Sequence, residues 1–227
     1  MAAKLASVRE KIWDLTLPLT SFFSGKRFNA GIRDSLGDDH IQDFVLSFFC
    51  VSVDISSSRQ VVHTKGLAWK YVRASMSLSG YLPPVSENNS LLVDGGYMNV
   101  MPADVMTEQF KARTTIAVDV ASEKEVEYYD YGTELSGLWL LWNSWNPFAR
   151  TVKVPSMGDI SQKLAWVNSQ RHKESVVRSG VDLFLSPPVG EYGTLEFDKF
   201  DEIVQVGYDY AKPIVQKWAR KRRHVAP

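Results

Sequence analysis

Leu91-Leu92-Val93-Asp94-Gly95-Gly96 carries a short apolar run into a carboxylate and then into a double glycine. A strand that ends on an acid presents it at the margin of a buried sheet, where it can accept a proton. Neither glycine has a Cβ, so a partner loop or a substrate can come close to the turn. Asp-Gly is also a common tight-turn pair, and a plain turn is the competing reading. Asn99 follows, and Pro102 is placed in the first turn of a helix expected over Pro102 to Phe110. The N-terminal N–H groups of such a helix could steady a negative charge.

A base of this kind needs a nucleophile to serve. The usual setting for a serine is G-x-S-x-G, a sharp strand-to-helix turn that exposes the hydroxyl. The 227 residues contain no G-x-S-x-G. Ser24-Gly25 and Ser79-Gly80 lack the preceding glycine, Gly132 to Gly137 has the wrong spacing, and no Gly-Gly-Gly loop is present. Ser75, Ser77 and Ser79 read as hydroxyls that turn the chain ahead of Pro83-Pro84. His40, His63, His172 and His224 sit in polar or terminal contexts and read as solvated, with no metal-ligand spacing. No metal or cofactor is expected. Cys50 is the only cysteine and lies in Phe48-Phe49-Cys50-Val51, the setting of a buried structural thiol.

Elements must position these residues. The spacing of Leu5, Val8 and Ile12 predicts a helix over residues 2–13, and Phe28 to Leu36 reads as a short helix stopped by Gly37. Phe44 to Ile55 is dense in Val, Phe and Ile, the pattern of a strand buried on both faces in a parallel sheet, with Arg59 to His63 as its hairpin partner. Leu67 to Leu78 has helical spacing. Leu91 to Val93 and Thr114 to Val120 read as buried strands flanking the Pro102–Phe110 helix, which points to an α/β fold with right-handed crossovers. Asp159 to Arg178 and Phe197 to Arg222 are predicted long helices.

Composition bounds the function. At 44% hydrophobic and 23% charged the chain suits a globular domain with a real core, and its formal net charge of zero argues against nucleic acid as partner. No apolar run is long enough for a transmembrane helix, and the N-terminus lacks the apolar centre of a signal peptide. Trp139, Trp142, Trp145 and Phe148 recur at three-residue intervals, either as a lipid-contacting helix face or as packing against the core. Lys212, Lys217, Arg220, Lys221, Arg222 and Arg223 make a basic end, either a solvated helix terminus or a surface for anionic headgroups.

Several motifs then align with one family. Asp94-Gly95-Gly96 followed by Asn99 and Pro102-Ala103 resembles the acidic motif of patatin-like phospholipases. The run from Arg73 to Pro84, Arg-Ala-Ser-Met-Ser-Leu-Ser-Gly-Tyr-Leu-Pro-Pro, is similar to the neuropathy target esterase/Swiss cheese branch. So are Asp14 to Ser21, Leu135 to Trp142, and Phe197 to Asp201, so that the resemblance covers about residues 11–218.

The resemblance implies a patatin-like α/β three-layer fold with a mainly parallel sheet, here N-terminally truncated. Residues 1–227 would form one partial domain: a core over about 11–120, an aromatic excursion over 121–158, and C-terminal helices over 159–222. It implies a serine lipid esterase that cleaves acyl esters of lysophosphatidylcholine or phosphatidylcholine with a Ser–Asp dyad. Asp94 would be the base, supported by Gly95, Gly96, Asn99 and Pro102, with the serine and the glycine-rich oxyanion loop lying before residue 1. The expected chain is then a C-terminal part of an esterase domain, inactive alone, at the cytosolic face of the endoplasmic reticulum membrane. The alternative is a non-catalytic lipid-binding or regulatory protein that associates with a full-length homologue.

Overall fold

In the computed structural model, the described residues are 14–17, 19–120, 129–145, 152–155, 159–161, 163, 164, 167, 176, 181–192 and 196–225. The helix predicted over residues 2–13 lies outside them, as does most of that predicted over Asp159 to Arg178.

Two sheets organise the described residues. The first has four strands, β1 (Cys50–Asp54), β2 (Arg59–His63), β3 (Val85–Glu87) and β4 (Ser90–Asp94), in the order β2-β1-β4-β3. All of its pairings are antiparallel. The second pairs β5 (Ile116–Val118) with β6 (Leu183–Leu185) in parallel. The mixed α/β class of the patatin-like fold stands, but among the described strands the larger sheet is antiparallel, where a mainly parallel one was expected. The cause lies in what burial encodes. A strand covered on both faces reads as a continuous apolar run whichever way its edge neighbours point.

Helix α1 (Lys26–Leu36) begins two residues before the sequence reading placed it and ends at Gly37, whose φ of 64° favours glycine. Helix α2 (Ala68–Ser75) packs on β1 and β4 and on α1. Between them Ile32, Ile41, Val51, Val53, Ala68, Ala74, Leu92 and Val93 form the buried apolar centre. The strand predicted from Phe44 starts only at Cys50. Residues 44–49 form no strand, and Val45 and Leu46 stand fully or largely exposed.

Thr114 to Val120 is likewise shorter as a strand, and it is not buried on both faces. Thr115, Ala117 and Asp119 point inward, while Ile116, Val118 and Val120 are exposed. β4 and β5 belong to different sheets, so the expected strand–helix–strand unit does not lie in one sheet. The helix expected over Pro102 to Phe110 is a π-type turn, Val105–Gln109, preceded by helical Ala103 and Asp104.

Helix α3 (Gly137–Trp145) carries the aromatic repeat. Helix α4 (Phe200–Val225) includes Pro213 and follows a 3-10 turn, Phe197–Lys199. Its C-terminal end is tied to the second sheet. Trp218 Nε1 donates to Asp182 O at 3.1 Å, and Arg222 reaches Asp182 at 2.9 Å and Thr114 Oγ1 at 2.6 Å. No helix among the described residues is long and apolar enough to cross a membrane.

Candidate active site

β4 lies inside the four-stranded sheet, with β1 on one side and β3 on the other. Leu92 and Val93 are buried there, and the strand delivers Asp94 to its C-terminal end, half-buried and opposite Ser52 of β1. The chain then turns in a tight 3-10 helix, Gly95–Tyr97. Gly95 sits against β1 so closely that a Cβ would stand 2.3 Å from the carbonyl oxygen of Val51. Only glycine fits without moving that strand, which is the physical reason for the first glycine of the pair. Gly96 supplies the N–H that Asp94 Oδ1 accepts at 2.7 Å.

Burial raises the Asp94 carboxyl above its ordinary range, and the Gly96 hydrogen bond pulls the other way without cancelling the rise. A desolvated carboxylate holds a proton more tightly than one in water, which makes it a better base. The following residues lock the turn. Asn99 N donates to Gly95 O at 2.8 Å, and its buried side chain donates through Nδ2 to Asp104 Oδ1 at 2.9 Å. The π-type turn after Pro102 is too short to offer the row of helix N-terminal N–H groups that the sequence suggested.

The structure brings Asp94, Gly95, Gly96, Asn99 and Pro102 together on one cleft of about 400 Å³. Its remaining walls include Phe48, Phe49, Val72 and Met76, so the carboxylate faces an apolar trough. Sequence reasoning missed these four. The sequence pattern puts Phe48 and Phe49 in a core strand, and the signal for the other two is the i, i+4 spacing of Val72 on α2 and Met76 at its C-cap.

Cys50 also touches the cleft, but burial pushes its thiol up to about 12, which leaves no thiolate nucleophile at neutral pH. Of the three serines, Ser75 lines the cleft and Ser79 is exposed. Ser77 is fully buried, its Oγ donating to Arg73 O at 3.0 Å.

His63 corrects the sequence reading. It is buried, 2.6 Å from Ser52 Oγ, and stacked on Tyr71 with ring centroids 4.2 Å apart. Burial lowers its pKa, against the pull of Glu87. Residue types around His63 do not disclose this, because the helix that follows β2 folds back and lays Tyr71 over the ring. His40 is exposed, as expected, and His172 lies outside the described residues. No group of three or more His, Cys, Asp or Glu among the described residues is placed to hold a metal ion.

Away from the cleft, Trp142 is 74% exposed on α3 beside exposed Leu138, and Trp139 stacks on Tyr129 with centroids 6.4 Å apart. Trp145 ends that helix, and Phe148 lies outside the described residues. Lys212, Lys217, Arg220 and Lys221 are exposed on α4, whereas Arg222 is paired with Asp182.

Residues 3–107 match the sequence profile of the patatin-like phospholipases. The chain is 46% identical to patatin-like phospholipase domain-containing protein 7 of Mus musculus over 221 residues, which is 96% of this chain and 16% of the relative. It is 45% identical to the neuropathy target esterase sws of Drosophila melanogaster over 215 residues, 94% of this chain and 15% of the relative. A lysophospholipase of Saccharomyces cerevisiae is 40% identical over 215 residues, 95% of this chain and 13% of the relative. The chain thus spans at most 16% of the length of these relatives. By this match and these identities, the chain belongs to the patatin-like phospholipase family, in its neuropathy target esterase branch.

Proposed function

We propose that this chain contributes the aspartate base and part of the acyl-chain trough of a serine lipid esterase acting on lysophosphatidylcholine or phosphatidylcholine. The observation that carries the reading is the placement of Asp94: a desolvated carboxylate at a strand end, opening on a cleft walled by Phe48, Phe49, Val72 and Met76. Asp94 takes the proton of a serine hydroxyl, and the serine oxygen attacks the ester carbonyl. N–H donors stabilise the oxyanion, and the lipid alcohol leaves with the proton. Water, deprotonated by the same carboxylate, then releases the fatty acid from the acyl-serine. The 227 residues hold no G-x-S-x-G, so the serine of this scheme comes from a segment other than these residues.

The test is turnover of lysophosphatidylcholine and phenyl valerate. The 227-residue chain alone is expected to give background rates, unchanged by Asp94→Asn. A longer chain that joins this sequence to a G-x-S-x-G segment is expected to turn over and to lose about 10²–10⁴-fold on Asp94→Asn, the usual share of a general base. Turnover by the 227-residue chain that Ser75→Ala abolishes would place the nucleophile in the cleft itself and sink the scheme.

Lipid-surface contact through Trp139 and Trp142, with the exposed lysines of α4 facing anionic headgroups, belongs to the same proposal, as does an endoplasmic reticulum address. A second reading, a non-catalytic lipid-binding or regulatory protein paired with a full-length homologue, draws on the exposed Leu138 and Trp142 and the missing serine elbow. Vesicle binding lost on Trp142→Ala, together with no effect of Asp94→Asn in the longer chain, would favour it.

A further inference from the structure

Arg73 is a cation only 3% exposed, on the buried side of α2. A buried charge is weak evidence for stability, since an apolar replacement of similar volume is often neutral or better. What a guanidinium provides, and a methionine does not, is a planar fork that fixes several acceptors at once. Arg73 Nε donates to Asn29 Oδ1 at 2.8 Å, Nη2 to Pro83 O at 3.1 Å, and Nη1 to Ser77 Oγ. Its Cζ lies 5.9 Å from the Phe28 ring centroid. The N-cap of α1 is cut to match, for a Cβ on Gly25 would stand 3.0 Å from Arg73 Nη2. One side chain therefore joins α1, the end of α2 and the turn leading to Pro83.

That turn holds the candidate base. Ser77 O accepts the backbone N–H of Asp94 at 3.1 Å, and the Ser79 N–H donates to the hydroxyl of Tyr97 at 2.9 Å. Residues 77–79 thus grip both ends of the Asp94–Tyr97 turn, and Ser77, their first residue, is the one Arg73 clamps. We propose that Arg73 is a positioning residue for Asp94: its fork on Asn29, Ser77 and Pro83 fixes the 77–79 strap, and the strap fixes the height and burial of the carboxylate in the cleft. The inference rests on reading Asp94 as the base, and it assigns the Arg73–Pro84 motif a role in that site.

Amide hydrogen exchange and carboxyl titration by NMR on the whole chain test it, with Arg73→Lys and Ser77→Ala as variants. Lysine keeps the charge and loses the fork. The expected result is exchange at the Asp94 and Ser79 amides faster by about five- to tenfold, the worth of a typical lost hydrogen bond. The β1 amides stay unchanged, and the Asp94 carboxyl titrates closer to its ordinary value as the turn opens to water. Equal acceleration at β1 and at Asp94 would make Arg73 a general stabiliser and overturn the proposal, as would no change at Asp94. Ser77→Ala removes only a hydroxyl and keeps the test decisive should Arg73→Lys fail to fold. Exchange needs no turnover, so it decides this coupling separately from whether Asp94 is the base.

Discussion

Asp94 and Gly95 show how far single residues can be read. That an acid before a double glycine ends a strand was legible from residue types alone, and so was the need for close approach. Which neighbour comes close was not, because Val51 lies on another strand. Gly95→Ala is expected to cost about 1–3 kcal/mol in urea denaturation, the usual range for overpacking, since a backbone oxygen cannot step aside. Gly96→Ala should cost less, for its nearest neighbour is the Asp94 carboxylate at 3.0 Å, which can swing away. The sign of the Asp94 shift gives a further expectation. Its folded-state pKa is raised above 3.8, so its contribution to stability is fully present below that pH and is lost as pH rises through the raised value. Asp94→Asn should therefore raise the melting temperature at pH 7, with the gain vanishing as pH falls below 3.8, as a calorimetric pH series would show. A site that costs stability where it stays charged is what a base in an apolar cleft requires.

At the level of elements, the hairpin β1–β2 was legible because its partner run is short and adjacent. Its latch was not. Asp54 accepts hydrogen bonds from Ser56 N at 2.9 Å, Ser57 Oγ at 2.7 Å and Ser90 Oγ at 2.9 Å, closing the hairpin turn and fastening it to the start of β4. These bonds, that of Ser57 foremost, hold its carboxyl down at about 2. A depressed acid adds stability that is present above its unfolded value of 3.8 and is lost as pH falls toward 2. Asp54→Ala is expected to lower stability at pH 7, and the difference from the parent chain should narrow on going to pH 3 in urea titrations. A difference constant with pH would mean that the ionised carboxylate is not what fastens the turn. Strand direction was misread at this scale, since an apolar run reports burial and not the direction of its neighbours.

For the whole molecule, the unexpected feature is how much apolar surface is open. Leu19, Val45 and Leu46 are exposed, and Val118 stands 52% exposed on the outer face of β5. Open strand faces and apolar patches of this kind invite self-association. The 227-residue chain is expected to form concentration-dependent oligomers in sedimentation experiments, and Val118→Lys should shift it toward monomer. A monomer at all concentrations would show that these side chains repack in solution. The sequence by itself determined the family, the carboxylate and its glycines, and the existence of most helices and strands, because those depend on residue type and local period. Only the tertiary structure decided that β1 runs antiparallel between β2 and β4, that α2 buries His63 and completes the cleft with Val72 and Met76, and that Arg73 ties the strap behind Asp94. Each of those depends on how elements pack in space, β1 against β4 and Arg73 against Asn29 across long stretches of chain, and local pattern carries no record of which element will fill the other side.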